Sequence, residues 1–205
     1  MSDLAATDPR LAALLEDGVR LNLAGSVDQA GTLVADKLDA HAAKVVLSGT
    51  ARAEQWGVAA REAEATLSIP DIAAIGAPLG FPGAGAAELA LTLEPSADGE
   101  RLEVTGTSQA LATGQPIPDR LLGQSPRLQL ALTGKLPQAM TITTAQLTGA
   151  KARFNAQGTV TDPNLDVSFT AALDDAAAVD PMLRGQVMLD GTVHGTMDAP
   201  ALAVQ

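Results

Sequence analysis

The chain of 205 residues contains no cysteine, which excludes disulfides, thiolate nucleophiles and cysteine-ligated metals. It also has no tyrosine, one tryptophan and three phenylalanines, so although 46% of residues are hydrophobic only 2% are aromatic. The apolar content is therefore almost wholly Ala, Leu, Val and Ile. Sites for carbohydrates, nucleobases and single-stranded nucleic acid lean on stacking rings, and here those rings are nearly missing. Positive charge is scarce as well: 13 Lys and Arg stand against 24 Asp and Glu, a net charge of -11. Phosphate backbones are bound by their neutralisation with Lys and Arg, so no nucleic-acid partner is expected. The acidic residues are scattered rather than run together, the pattern of a solvated surface. The first residues, Met1-Ser2-Asp3-Leu4, show no basic segment leading into an apolar one, so no export signal is visible; the chain reads as cytoplasmic or as an internal piece of a longer protein. The longest uncharged stretch, Ile72 to Ala87, is interrupted by Pro78, Pro82 and several glycines, so no bilayer-spanning helix is expected.

Residues arranged for chemistry are equally scarce. His41 and His194 stand alone in separate strand-like segments, with no companion at a ligand spacing, and are expected on strand faces. Asp174, Asp175 and Asp180 lack the spaced ladder of a calcium loop and read as joint or capping residues. Gly123-Gln-Ser-Pro-Arg127 is not a nucleophile elbow, because Pro126 would obstruct the helix that must follow. Gly80-Phe-Pro-Gly-Ala-Gly85 is rich in glycine but holds no lysine and leads into a strand, so it is a wide turn rather than a phosphate cradle. No catalytic residue, no metal and no cofactor are expected, and the chain is not expected to be an enzyme.

What the sequence does contain is alternation. Leu128, Leu130 and Leu132 point one way while Gln129, Ala131 and Thr133 point the other, the period-two pattern of a strand with one face on an apolar environment. The same holds for Leu89, Leu91 and Leu93, for Leu102 and Val104, for Val167, Phe169, Ala171 and Leu173, and for Val187, Leu189 and Val193. The alternation predicts strands near 19–24, 32–40, 44–54, 58–68, 85–94, 101–111, 127–136, 140–148, 151–160, 165–172 and 186–196. Between most of them lie turn-forming residues: Gly25, Gly31, Gly57, Pro95 to Gly99, Gly114 to Pro118, Pro137, Asp162-Pro163-Asn164 and Asp180-Pro181. Helical spacing is confined to Pro9 to Leu15, where Leu11, Leu14 and Leu15 share a side. Short connections make sequential strands antiparallel hairpins. The expected fold class is all-β: an elongated, curled antiparallel sheet, either an open trough or solenoid-like, with little helix.

Two phrases recur along the chain. One opens at or beside an Asp, carries a few aliphatic residues and reaches a Gly: Asp8 to Gly18, Pro70 to Gly80, Pro118 to Gly123 and Asp175 to Gly185. The other ends strands: Leu47-Ser-Gly-Thr50, Val104-Thr-Gly-Thr107, Leu132-Thr-Gly134, Leu147-Thr-Gly149, Gln157-Gly-Thr159 and Val193-His-Gly-Thr196. Each of those glycines falls where a side chain is due, marking a bulge, a bend or a close backbone contact. The chain is accordingly expected to be one continuous repeat-built segment over 1–205, in units near 8–68, 69–114, 115–172 and 173–205, since repeated hairpins make elongated sheets rather than closed globules.

Ile69-Pro-Asp-Ile-Ala-Ala-Ile75, Gln115-Pro-Ile-Pro-Asp-Arg-Leu-Leu-Gly123 and the closing stretch Leu183 to Leu202, with its Gly191-Thr-Val-His-Gly-Thr196 followed by Asp198-Ala-Pro200, resemble the joints and repeat endings of the TamB translocation and assembly module family, relatives of the AsmA-like bridge proteins. The likeness extends over nearly the whole chain. It implies a middle segment of a periplasmic body whose parent is anchored in the inner membrane and meets an outer-membrane barrel partner, TamA, through parts not contained in this chain. It further implies a non-enzymatic scaffold with an aliphatic trough, serving phospholipid transport or outer-membrane protein assembly between the two membranes.

The residues themselves admit two uses of the aliphatic stripe. It can be the dry interior of a closed sandwich or solenoid, as in a structural adhesin or passenger domain. Alternatively it lines an open groove for phospholipid acyl chains, which need no hydrogen bonds. Together with the resemblance, the second use is the expectation, and the lining is then Leu89, Leu91, Leu93, Leu102, Val104, Leu128, Leu130, Leu132, Val167, Phe169, Val187 and Leu189. A polysaccharide-processing β-helix would require paired carboxylates beside aromatic rings, and no such arrangement is recognisable.

Overall fold

The computed structural model describes residues 18–42, 45–55, 61–79, 82–135, 138–196 and 199–204. Twelve strands form a single sheet in which every strand pairs antiparallel with its neighbours in sequence, in the order β1 to β12. They are β1 Val19–Val27, β2 Leu33–Ala42, β3 Val45–Ala53, β4 Arg61–Ile69, β5 Ala84–Ser96, β6 Gly99–Ala112, β7 Arg127–Lys135, β8 Ala139–Thr148, β9 Ala152–Thr161, β10 Asn164–Leu173, β11 Val187–Thr196 and β12 Ala199–Val204. The sheet is curled and does not close into a barrel; β1 and β12 are its two free edges. At about 4.8 Å per strand spacing, it runs roughly 50 Å from edge to edge. The strands make extensive contact only with their sheet neighbours, so no second layer lies over either face of the described sheet.

The alternation read from the sequence becomes a two-faced sheet because the register keeps it in phase from strand to strand. One cross-strand row runs Leu47, Leu67, Leu89, Gly106, Leu128, Leu147, Phe154, Ala171, Leu189. The next runs Leu23, Leu38, Gly49, Ala65, Leu91, Val104, Leu130, Ala145, Ala156, Phe169, Gly191, Val204. A third passes through Ala51, Ala63, Leu93, Leu102, Leu132, Ile142, Gly158, Val167, Val193 and Leu202. The opposite face carries Glu62, Glu64, Glu88, Glu103, Gln129 and their polar neighbours.

In three strands, β2, β6 and β8, the register slips by one residue and a bulge absorbs each slip; in β6 it lies between Gln109 and Ala112, opposite Ala86 and Ala84. In β8 the apolar residues are Met140 and Ile142, then Ala145 and Leu147. The ladder to β7 jumps from Leu132 opposite Ile142 to Ala131 opposite Thr144, leaving Thr143 extra; its hydroxyl donates to the Ala131 carbonyl at 3.0 Å. In β2, Ala35 and Leu38 are brought to one face in the same way, with Asp36 as the extra residue opposite β1. An inserted residue restores the side-chain phase at the cost of a local kink.

Strands 19–24 through 186–196 are found as expected within a few residues, but three expectations need correction. Gly25 does not separate strands: it sits at a register shift inside β1, whereas the stretch Pro95 to Gly99 does hold the turn between β5 and β6. A twelfth strand, β12, lies beyond the expected ones because Pro200 interrupts its alternation; among the described residues β12 pairs only with β11, so the proline withholds no N–H from a further strand there. The joint phrases are also not plain turns. Ile72–Leu79 and Pro116–Leu122 are short helices, α1 and α2, and Ala176–Ala178 forms a single 3-10 turn. Prolines at the start of α2 fit because the first N–H groups of a helix have no internal partner. The helical spacing at Pro9 to Leu15 and most of the first joint phrase lie outside the described residues.

In a meander, connections fall alternately at the two ends of the strands, and α1, α2 and the 3-10 turn all fall at the same end. They are stitched to it. The amides of Ala150 and Lys151 in the β8–β9 turn donate to Leu122 and Leu121 carbonyls, and Asp174 N–H donates to Lys151 carbonyl. The joint aspartates serve these turns: Asp71 accepts from Ala73 N–H and Asp175 from Ala177 N–H, while Asp119 accepts from Thr113 N–H and hydroxyl.

Candidate functional site: an uncovered aliphatic sheet face

The twelve lining candidates all occupy the same face. Leu89, Leu91 and Leu93 of β5 stand opposite Gly106, Val104 and Leu102 of β6, which stand opposite Leu128, Leu130 and Leu132 of β7. Val167 and Phe169 of β10 follow through β8 and β9, and Val187 and Leu189 of β11 stand opposite Leu173 and Ala171. This face is not a closed core. Among the described residues the only buried hydrophobic side chains are those of Ala176 and Ala178, and no side chain is fully buried. The central leucines are half-buried by one another, and towards the edges exposure rises to 62% at Leu21 and 64% at Leu202.

Glycines shape the face. A Cβ on Gly106 would meet Leu89 Cδ2 at 3.1 Å and Leu128 Cβ at 3.3 Å, so the two leucines close over the vacancy. On Gly191 it would overlap the ring of Phe169, which lies across the bare backbone. That ring stacks on Phe154 with centroids 5.8 Å apart. The strand-ending glycines 49, 106, 134, 158 and 195 thus all belong to the apolar face, while Gly149 follows β8 and abuts the backbone of Leu121 and Leu122 in α2. At the joint end, Leu121 and Leu122 overhang Leu147, Phe154, Leu173 and Val187 and enclose a nearly wholly apolar hollow of about 290 Å³.

Charge is confined with equal consistency. Tracing the register through all twelve strands, Arg61 of β4 and Glu100 of β6 are the only charged residues at positions of the apolar face. They occupy the end opposite the joints and bind each other: Arg61 Nε donates to Glu100 Oε1, and Nη2 to Oε2 at 2.6 Å. Glu100 is the one buried charged residue among those described. Sequence reading missed this pair, since the two lie 39 positions apart.

The polar face holds shallow depressions. One of about 690 Å³ is bordered by Asp36, Arg52, Glu62, Glu64, Thr92 and Glu94. No group of three or more His, Asp or Glu able to hold a metal occurs among the described residues. His41 and His194 are both exposed on this face, and His194 Nδ1 lies 2.8 Å from Asp166 Oδ1. Asp175 caps the 3-10 turn, and Asp180 accepts from Met182 N–H, so two of the three acidic candidates act as local capping groups. No described helix is long and apolar enough to cross a membrane. No protein-family model matches the chain, and no curated protein or solved structure is significantly similar to it.

Proposed function

We propose that the chain is a non-enzymatic scaffold whose aliphatic face carries phospholipid acyl chains, as part of a periplasmic body of the TamB kind working between inner and outer membranes. What supports the reading is one observation: apolar rows continue across all twelve strands, and among the described residues no second layer lies over them. A monomeric soluble protein rarely leaves so large an apolar patch without an occupant, and each methylene of a chain laid on it gains about 0.8 kcal/mol. Branched side chains without hydrogen-bonding groups suit a ligand that slides rather than docks. The location, the inner-membrane-anchored parent and the barrel partner TamA belong to the same proposal and rest on the sequence resemblance.

The test centres on Leu130, in the middle of the rows. A photocrosslinking residue at position 130 should give phospholipid adducts, and Leu130→Asp should abolish transport in the parent protein while the sheet stays folded, since on an open face the carboxylate reaches water. Absence of lipid adducts together with unfolding of the variant would refute the proposal and favour a closed structural core.

A further inference from the structure

We propose that the Arg61–Glu100 pair is a headgroup subsite on the apolar face and that it takes a zwitterionic phospholipid, phosphate towards the guanidinium and ammonium towards the carboxylate. This rests on the acyl-chain reading and adds to it the class of lipid and its orientation. The first ground is placement: among the described residues the pair is the only charge on the face, and it stands at its end, with Ala63, Ala65, Leu67 and Ile69 leading away along β4. From Arg61 to Ile69 the strand rises about 27 Å, room for an extended acyl chain beside it.

The second ground is unspent bonding capacity. Arg61 uses Nε and Nη2 on Glu100, which leaves the Nη1 edge, and its side chain is 45% exposed. A guanidinium has five N–H donors, so the Nη1 edge can take a phosphate oxygen without separating the pair. Glu100, its side chain 11% exposed, keeps lone-pair directions beyond the two that Arg61 takes for an ammonium at the narrow opening. The third ground is charge balance. The pair is neutral overall and the chain carries -11, so a purely anionic lipid meets net repulsion, while a zwitterion finds a partner for each of its charges. For stability alone, apolar residues of similar volume would serve as well as an enclosed ion pair.

The experiment incubates the full chain with equimolar phosphatidylethanolamine and phosphatidylglycerol of identical acyl chains and reads the bound ratio by native mass spectrometry. Wild type should favour the zwitterion by roughly fivefold or more. The double variant Arg61→Met with Glu100→Met should bind as much total lipid but in a ratio near one. Should that variant fail to fold, Arg61→Lys and Glu100→Asp keep each charge while changing its reach, and each should lower the ratio. The same ratio in wild type and in all folded variants would overturn the headgroup subsite and leave the acyl-chain face standing. No lipid on wild type at all would overturn both.

Discussion

Arg61 and Glu100 grip each other across an intervening strand: one belongs to β4, the other to β6, and between them on the same face lies Pro95 of β5. The pair therefore braces three strands at one end of the sheet. Removing one partner should cost more than removing both. Arg61→Ala leaves Glu100 enclosed and unpaired, and because the arginine is partly exposed the loss should be about 1–3 kcal/mol, below that of a fully buried pair. The double change to methionine should be near neutral. Chemical denaturation midpoints of the single and double variants check the order.

The β8 bulge makes a sharper prediction. Deleting Thr143 and Thr144 together would make Ile142 and Ala145 adjacent and force Met140 and Ile142 onto the face opposite Ala145 and Leu147, because side chains alternate with period two. The sheet should lose its cooperative unfolding transition or unfold at much lower denaturant. Deleting Thr143 alone removes the extra residue and leaves Met140, Ile142, Ala145 and Leu147 in plain alternation, so it should be tolerated better. A smaller loss for the double deletion than for the single one would contradict this account.

Acid should loosen the α2 joint. Hydrogen bonds from the Thr113 N–H and hydroxyl hold the Asp119 carboxyl below its ordinary value of 3.8. A depressed folded-state value means the unfolded chain binds the proton more readily, so the contribution is fully present above pH 3.8 and is lost as pH falls through the lowered value. Amide exchange at Thr113 should accelerate in that acid range. Asp119→Ala should show the faster exchange already at neutral pH, with no further acid dependence from this group.

The free edges should govern association. β1 exposes Val19, Leu21, Leu23 and Val27, and β12 exposes Leu202 and Val204; among the described residues neither has a strand on its outer side, and such an edge is a template for further strands. A net charge of -11 opposes contact, so added salt should promote self-association by screening. Sedimentation velocity at rising salt should show the increase, and Leu23→Lys on the β1 edge should suppress it. Association that falls with salt would point instead to attraction between opposite charges.

Much of the sheet was legible from residue order because its information is local. In Arg127 to Lys135 the leucines at every second position state both the strand and its wet and dry sides, and lack of rings and thiols narrowed the chemistry further. The joint phrases were visible as repeats, but their helices were not: Pro116, Pro118, Gly76 and Pro78 are breaker residues in isolation, yet Pro116 and Pro118 open α2, where the first N–H groups have no internal partner, and Gly76 and Pro78 lie in the second half of the short α1. β12 was hidden for a related reason, since a proline in a strand is acceptable only at an edge, and being an edge is a property of the whole sheet.

The sequence by itself determined that strands form, that each has an aliphatic side, and that those sides are almost free of rings and of charge, because alternation and composition act residue by residue. Tertiary structure alone decided that the aliphatic sides share one uncovered face, which depends on register, on the extra residues at Asp36 and Thr143, and on no second layer lying over the sheet. It also decided that Arg61 meets Glu100. Two charges 39 positions apart have no bond in the sequence until β4, β5 and β6 lie side by side and bring their ends within reach.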